Sequence, residues 1–182
     1  MSTERQSLLR LVAPWDTDAD DPAPLGPPAE TDGAIIADQE DVKTFLLAGH
    51  ATVTLVSKAT SQRFTYRVEE VENEEGKTSP VTHFVKLLTE PDNERGYSYI
   101  GHVFRYTEYA HGRKSKIGEG APGPKAFRWF WRQVIEGGKK PADIGLEVWH
   151  EGRCGACGRK LTVPESIARG IGPECWARRG GR

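Results

Sequence analysis

The sequence is poor in the features of membrane and secreted proteins. No apolar run approaches the roughly 20 residues that a membrane-crossing helix needs. The opening MSTERQSLLRLVAPW has an apolar patch too short for the hydrophobic region of a secretory signal, and no small-residue cleavage site follows it. Only three cysteines occur in 182 residues, so they cannot all pair within the chain. These absences lead to the expectation of a cytoplasmic protein. In that compartment, closely spaced reduced cysteines bind metal or do redox work.

Catalytic signatures are also missing. Neither G-x-S-x-G nor H-E-x-x-H occurs. GEGAPGPK (118–125) mimics a phosphate loop, but Pro124 separates Gly123 from Lys125, and Ala126 stands where a Ser or Thr should hold magnesium. His50, His83, His102 and His111 are scattered and read as ordinary strand or loop residues. Glu69, Glu70, Glu72, Glu74 and Glu75 form a charge run that reads as a solvated edge or turn. No internal repeat is present. The expectation is a non-enzymatic protein with no small-molecule substrate.

What is there is polar but foldable: 37% hydrophobic and 28% charged residues, enough for one or two compact domains. The formal net charge of −1 hides an asymmetry. Residues 1–40 carry nine acidic and two basic side chains, residues 41–110 ten and eight, and residues 111–182 seven and fifteen. The basic C-terminal portion suits phosphate or an acidic protein surface; the alternative is a solvated surface balanced by the acidic start.

Three segments follow from the patterning. Residues 1–34 are acidic and Pro-rich and bury too little apolar surface to offset ordering entropy, so disorder is expected. Within them, Leu8, Leu9, Leu11, Val12 and Trp15 form either a peptide that docks on a partner or a frayed terminus. Residues 35–146 read as an α+β domain. DQEDVKTFLLAGH is a helix capped by Asp38 or Asp41 and stopped by Gly49. ATVTLVS, RFTYRVEEV, THFVKLLTE and YSYIGHVFRYTEY alternate as four strands at hairpin spacing, an antiparallel meander. In the fourth, Tyr97, Tyr99 and Val103 are expected on one face and Ile100, Phe104 and Tyr106 on the other, with Gly101 a candidate bulge. Phe127, Phe130, Trp131 and Val134 recur at helical spacing, so a helix started by Pro124 and stopped by Gly137 should pack on the sheet. LEVW is a further strand leading into residues 147–182, the third segment.

That last segment holds H-x3-C-x2-C-x17-C: His150, Cys154, Cys157 and Cys175. Gly155 and Gly158 allow the tight C-x2-C turn of a zinc knuckle, and Pro173 places Cys175 in the first turn of a helix. The expected site is structural Zn2+ in a reduced treble-clef-like module. His150 is the candidate fourth ligand; water or another side chain is the alternative. Two other readings are a buried set of free cysteines and a thioredoxin-like redox pair, but CGAC lacks the long helix after it that the redox pair requires.

The histidine with C-x-x-C-G-R-x-L, P-E-S-I and G-I-G-P-x-C resembles the end of an uncharacterised family of phage and bacterial proteins with a zinc-binding domain of unknown function. LLTEPDNERGYSYIGHV and KSKIGEGAPGPKAFRWFW are similar to its longer members, so the likeness spans roughly residues 45–176. The resemblance implies metal binding and a phage or prophage setting, hence the host cytoplasm.

Two functions are compatible with these residues. Arg113, Lys114, Lys116, Lys125, Arg128 and Arg132 cluster in the loop and helix after the fourth strand, beside Tyr97, Tyr99 and Tyr106. Cations beside aromatic rings hold single-stranded nucleic acid, which suggests a nucleic-acid-binding accessory protein. The alternative is a protein-binding inhibitor or adaptor acting on a host defence or replication protein, which the acidic start and leucine stretch suit.

Overall fold

The computed structural model describes residues 34–71 and 81–180. Of the N-terminal segment expected to be disordered, residues 1–33, with the leucine stretch, lie outside the described residues, as do residues 72–80 with Glu72, Glu74 and Glu75 of the charge run; Ala34 is the first residue of β1. The described residues form an α+β fold on a seven-stranded sheet. In chain order the elements are β1 (Ala34–Ile35), α1 (Gln39–Leu46), β2 (His50–Ser57), β3 (Arg63–Val71), β4 (Thr82–Leu88), β5 (Tyr97–Phe104) and β6 (Glu108–His111). Then come α2 (Pro122–Phe130), a π-helical continuation (Trp131–Glu136), a 3-10 turn (Pro141–Ile144), β7 (Leu146–His150), α3 (Pro164–Arg169) and α4 (Pro173–Arg178). Among the described residues, no helix is long and apolar enough to cross a membrane.

The strand order is β1-β7-β2-β3-β4-β5-β6, and every neighbouring pair is antiparallel. The four expected strands are β2 to β5, neighbours in chain order, but the sheet is wider than that meander. β7 inserts between β1 and β2, and β6 extends the far edge. The single strand expected over residues 97–109 is two. Arg105 and Tyr106 adopt φ of 50° and 61°, so the chain reverses there and β6 pairs back on β5. Two consecutive left-handed residues make the turn whose twist matches a hairpin. Arg-Tyr lacks the Asn or Gly that announces such a turn, and so the alternation read through it.

The facing within β5 also differs from expectation, for a related reason. The β4–β5 register shifts between Val85 and Lys86: Val85 lies opposite Gly101 and Lys86 opposite Tyr99, leaving Ile100 as the extra residue of a bulge. The bulge flips the phase of the strand. Ile100 and Val103 are both fully buried, whereas Tyr97, Tyr99, His102 and Phe104 face away from the core. Glycine at 101 is required by close packing, since a Cβ there would stand 2.8 Å from the Tyr109 ring.

The core lies between one sheet face and two helices. Val53 and Leu55 of β2, Tyr66 and Val68 of β3, and Val85 of β4 are buried beside Phe127, Phe130, Trp131 and Val134, the helical face the spacing predicts. Asp38 caps α1 by accepting the Glu40 N–H at 2.9 Å, and Val42, Phe45 and Leu46 carry α1 into the same core. The Tyr66 hydroxyl donates to the Gly123 carbonyl at 2.8 Å, fixing the start of α2 over β3. Among the described residues, no helix lies over the Phe84, Lys86, Tyr97 and Tyr99 positions of the opposite face. The boundary expected between residues 146 and 147 falls at the start of β7, inside the sheet. Cys154, Leu161, Ile171 and Cys175 join the same apolar cluster as the strands.

Candidate metal centre

The cysteine segment begins where β7 ends. Residues 152–161 form a small loop closed by the Leu161 N–H on the Gly152 carbonyl at 2.7 Å and the Cys154 N–H on the Arg159 carbonyl at 2.8 Å. The Gly158 N–H returns to the Cys154 carbonyl, and Gly158 takes φ of 72°, the left-handed conformation that glycine adopts without a steric cost. This turn carries Cys154 and Cys157. After α3, Gly170 (φ 71°) reverses the chain, and Cys175 enters from the first turn of α4.

The three sulfurs converge. The Sγ atoms of Cys154, Cys157 and Cys175 lie within 4.8 Å of one another, and all three cysteines are free. Cys154 and Cys175 are buried and Cys157 is exposed. Burial opposes ionisation of Cys154, but N–H groups of Gly172, Ala156 and Cys157 directed at its sulfur outweigh it and hold its pKa below the ordinary thiol value. Burial and the neighbouring sulfurs of Cys157 and Cys154 push Cys175 the other way. Sulfurs that disfavour each other's charge while backbone donors support one of them suit a cation that would neutralise the group. Three thiolates can hold a metal ion, and this donor set is soft.

His150, the candidate fourth ligand, is not in this group. Its Nε2 donates to the Ile167 carbonyl at 2.7 Å, and its Nδ1 accepts the Gly152 N–H at 3.1 Å. The ring also lies 5.4 Å from Phe45, centroid to centroid. His150 thus ties β7 to α3 and to α1. Burial lowers its pKa, with the Ile167 carbonyl pulling the other way, as suits a neutral ring with one donor and one acceptor nitrogen. Among the described residues, no further His, Cys, Asp or Glu joins the three cysteines.

The segment is anchored to the sheet. The His50 N–H donates to the Gly155 carbonyl at 2.7 Å, and the Arg179 guanidinium reaches the Ala48 carbonyl. Gly155 and Gly170, joined by an N–H to carbonyl bond of 2.9 Å, both abut Phe45.

The six expected nucleic-acid contacts divide. Arg113, Lys114 and Lys116 are exposed in the loop after β6. Arg113 and Lys114 line a concavity on the open sheet face together with Phe84, Lys86, Tyr99 and His102. Lys125 and Arg132 are exposed on the helical layer, which covers the other face, and Arg128 pairs with Glu119. The loop and the helix therefore do not form one cationic surface with Tyr99. Phe84 and His102 were not foreseen as part of it; only the bulge at Gly101 brings His102 to the side of Tyr99. Tyr97 lies on the same open face, under the Arg67 guanidinium at 4.1 Å. Tyr106 packs edge-on against His83.

Comparison with known proteins reaches only the C-terminal segment. The profile of a family of unknown function, DUF6011, matches residues 147–180, the stretch from β7 through α4 that carries His150 and the three cysteines. No curated protein matches the chain, and no solved structure does.

Proposed function

We propose that this is a zinc-binding, non-enzymatic accessory protein that contacts single-stranded nucleic acid through its open sheet face and the loop after β6. Zinc is the metal proposed for Cys154, Cys157 and Cys175, because a close group of thiolates on a tight C-x2-C turn suits a d10 ion without redox chemistry. Water is the proposed fourth ligand, since both His150 ring nitrogens already serve the backbone. The ion would cross-link the knuckle to α4 and hold the segment on β7 and α1. That cross-link is the role proposed for it.

One observation supports the nucleic-acid reading above the others. Among the described residues, the sheet face opposite the helices carries Phe84, Tyr97, Tyr99 and His102, and the exposed Arg113, Lys114 and Lys116 follow directly from its edge strand. Aromatic rings beside cations hold a strand by stacking and by phosphate neutralisation.

The test is a salt titration of full-length, zinc-loaded protein against a labelled single strand. Binding at about 50 mM salt should weaken with a slope near −0.7 per phosphate contacted. Reversing Arg113, Lys114 and Lys116 to Glu should abolish it while zinc content stays constant. No strand binding at low salt, or unchanged binding in the triple variant, rejects the reading. The adaptor function would then lead, and the same cations would be tested against acidic host proteins.

A further inference from the structure

The open sheet face holds a concave site whose chemistry is more specific than a general anionic contact. A cavity of about 690 Å³ lies where β4, β5 and β6 meet the loop after His111. That volume falls within the roughly 300–1,000 Å³ of small-ligand sites. Phe84 and Tyr99 line it, their rings edge to face at 5.3 Å. The Tyr99 hydroxyl and His102 Nδ1 are 3.1 Å apart beside them. Arg113 and Lys114 line it too, with Lys86, which pairs with Glu69, and with Ala110, His111 and Gly112; no described Asp or Glu contributes to the lining.

Two backbone features assemble the site. The β5 bulge turns His102 to the side of Tyr99. Gly112 lies so close to the Tyr99 ring that an added Cβ would overlap it, which lets the loop fold in and deliver Arg113 and Lys114. An acidic peptide would satisfy the cations but not the aromatic wall. A neutral apolar ligand would satisfy the wall but strand two cations. A flat heterocycle joined to a phosphate satisfies both.

We infer that this cavity is a subsite for one nucleoside phosphate unit, its base against Phe84 and Tyr99 and its phosphate toward Arg113 and Lys114. The inference rests on the single-strand reading and names the part of that surface that engages a base. The unit comes either as a free nucleotide or as one residue of a strand.

The experiment compares three probes on full-length, zinc-loaded protein: an intact single strand, an abasic strand of equal length, and a nucleoside monophosphate. The intact strand should bind about tenfold or more tightly than the abasic one. Phe84→Ala should remove that advantage, and Tyr99→Ala, which takes away the other ring of the wall, should diminish it. Should Phe84→Ala misfold, the His102 ring resonances of the unaltered protein give a second readout and should shift on adding the intact strand. A monophosphate that also shifts His102 supports the free nucleotide as ligand; a monophosphate that does not, beside an intact strand that does, supports the strand. Equal affinity for intact and abasic strands, or unmoved His102 resonances with all three probes, overturns the subsite. Base-independent binding would leave the anionic contact standing. Conversely, a monophosphate response without any strand binding would keep the subsite and end the single-strand reading.

Discussion

Phe45 fills the space that Gly170 leaves empty. A Cβ built on Gly170 would stand 2.5 Å from Phe45 Cδ2, and one on Gly155 would stand 2.7 Å from the same atom. Two glycines of the cysteine segment thus clasp one aromatic ring of α1. That ring is fully buried and also touches His150. The contact couples the approach of Cys154 to Cys175 with the apolar core. Gly170→Ala should therefore be costly twice over, through the left-handed φ of 71° and through the clash. The expected loss is about 1–3 kcal/mol, measured by urea denaturation. Phe45→Ala should cost more, about 3–5 kcal/mol, by leaving a cavity.

The metal site yields a second prediction. Cobalt-loaded protein should show thiolate-to-metal charge-transfer bands that Cys154→Ser, Cys157→Ser and Cys175→Ser each diminish. His150→Ala should keep all the sulfur bands but lower stability, because it leaves the Ile167 carbonyl and the Gly152 N–H without their partner. A buried backbone group left unpaired costs about 1–3 kcal/mol. Loss of sulfur bands in folded His150→Ala would return His150 to the coordination sphere.

The elements with strong local periodicity were legible in the sequence. Phe127, Phe130, Trp131 and Val134 mark a helical face by spacing alone, and Asp38 and Asp41 offer two candidate caps, of which α1 takes Asp38. The C-x2-C turn followed by G-I-G-P-x-C announces that three sulfurs can meet, since glycines and prolines fix the local backbone. What depended on pairing with distant chain was not legible. The β6 hairpin turns on Arg105 and Tyr106, held left-handed by the strands on either side. The face presented by His102 depends on a bulge opposite Val85 and Lys86. His150 has ligand spacing, yet both ring nitrogens find backbone groups seventeen and two residues away. Spacing brings a histidine near a site; only the tertiary fold decides which partner its nitrogens take.

Tyr66 gives a third prediction. It is fully buried, and burial together with Tyr109 raises its pKa well above the usual phenol value, so it stays a neutral donor to the Gly123 carbonyl. Tyr66→Phe keeps the packing against Phe127, whose ring lies 4.9 Å away, but removes that donor. The expected loss is about 1–2 kcal/mol in denaturant unfolding, with zinc content unchanged.

His83 gives the last. It is fully buried on β4, with Glu70 at 3.8 Å, the Leu47 carbonyl and Arg179 nearby, and Tyr106 edge-on to its ring. Burial lowers its pKa below the ordinary 6.5, and Arg179 adds to this; Glu70 and the Leu47 carbonyl oppose it without cancelling it. The folded state therefore takes up a proton at lower pH than the unfolded chain does. Below about pH 6.5 the unfolded chain binds more protons, so stability must fall with acidification until the folded pKa is passed. The limit for one such group is a slope of about 1.4 kcal/mol per pH unit. His150, also lowered by burial, contributes in the same window. Urea midpoints should thus drop as pH is lowered from about 7 to about 5.5. His83→Gln should flatten the part of that dependence that His83 carries, whatever its effect at neutral pH. A variant whose midpoint falls as steeply as that of the parent would show that His83 is not the group taking up the proton.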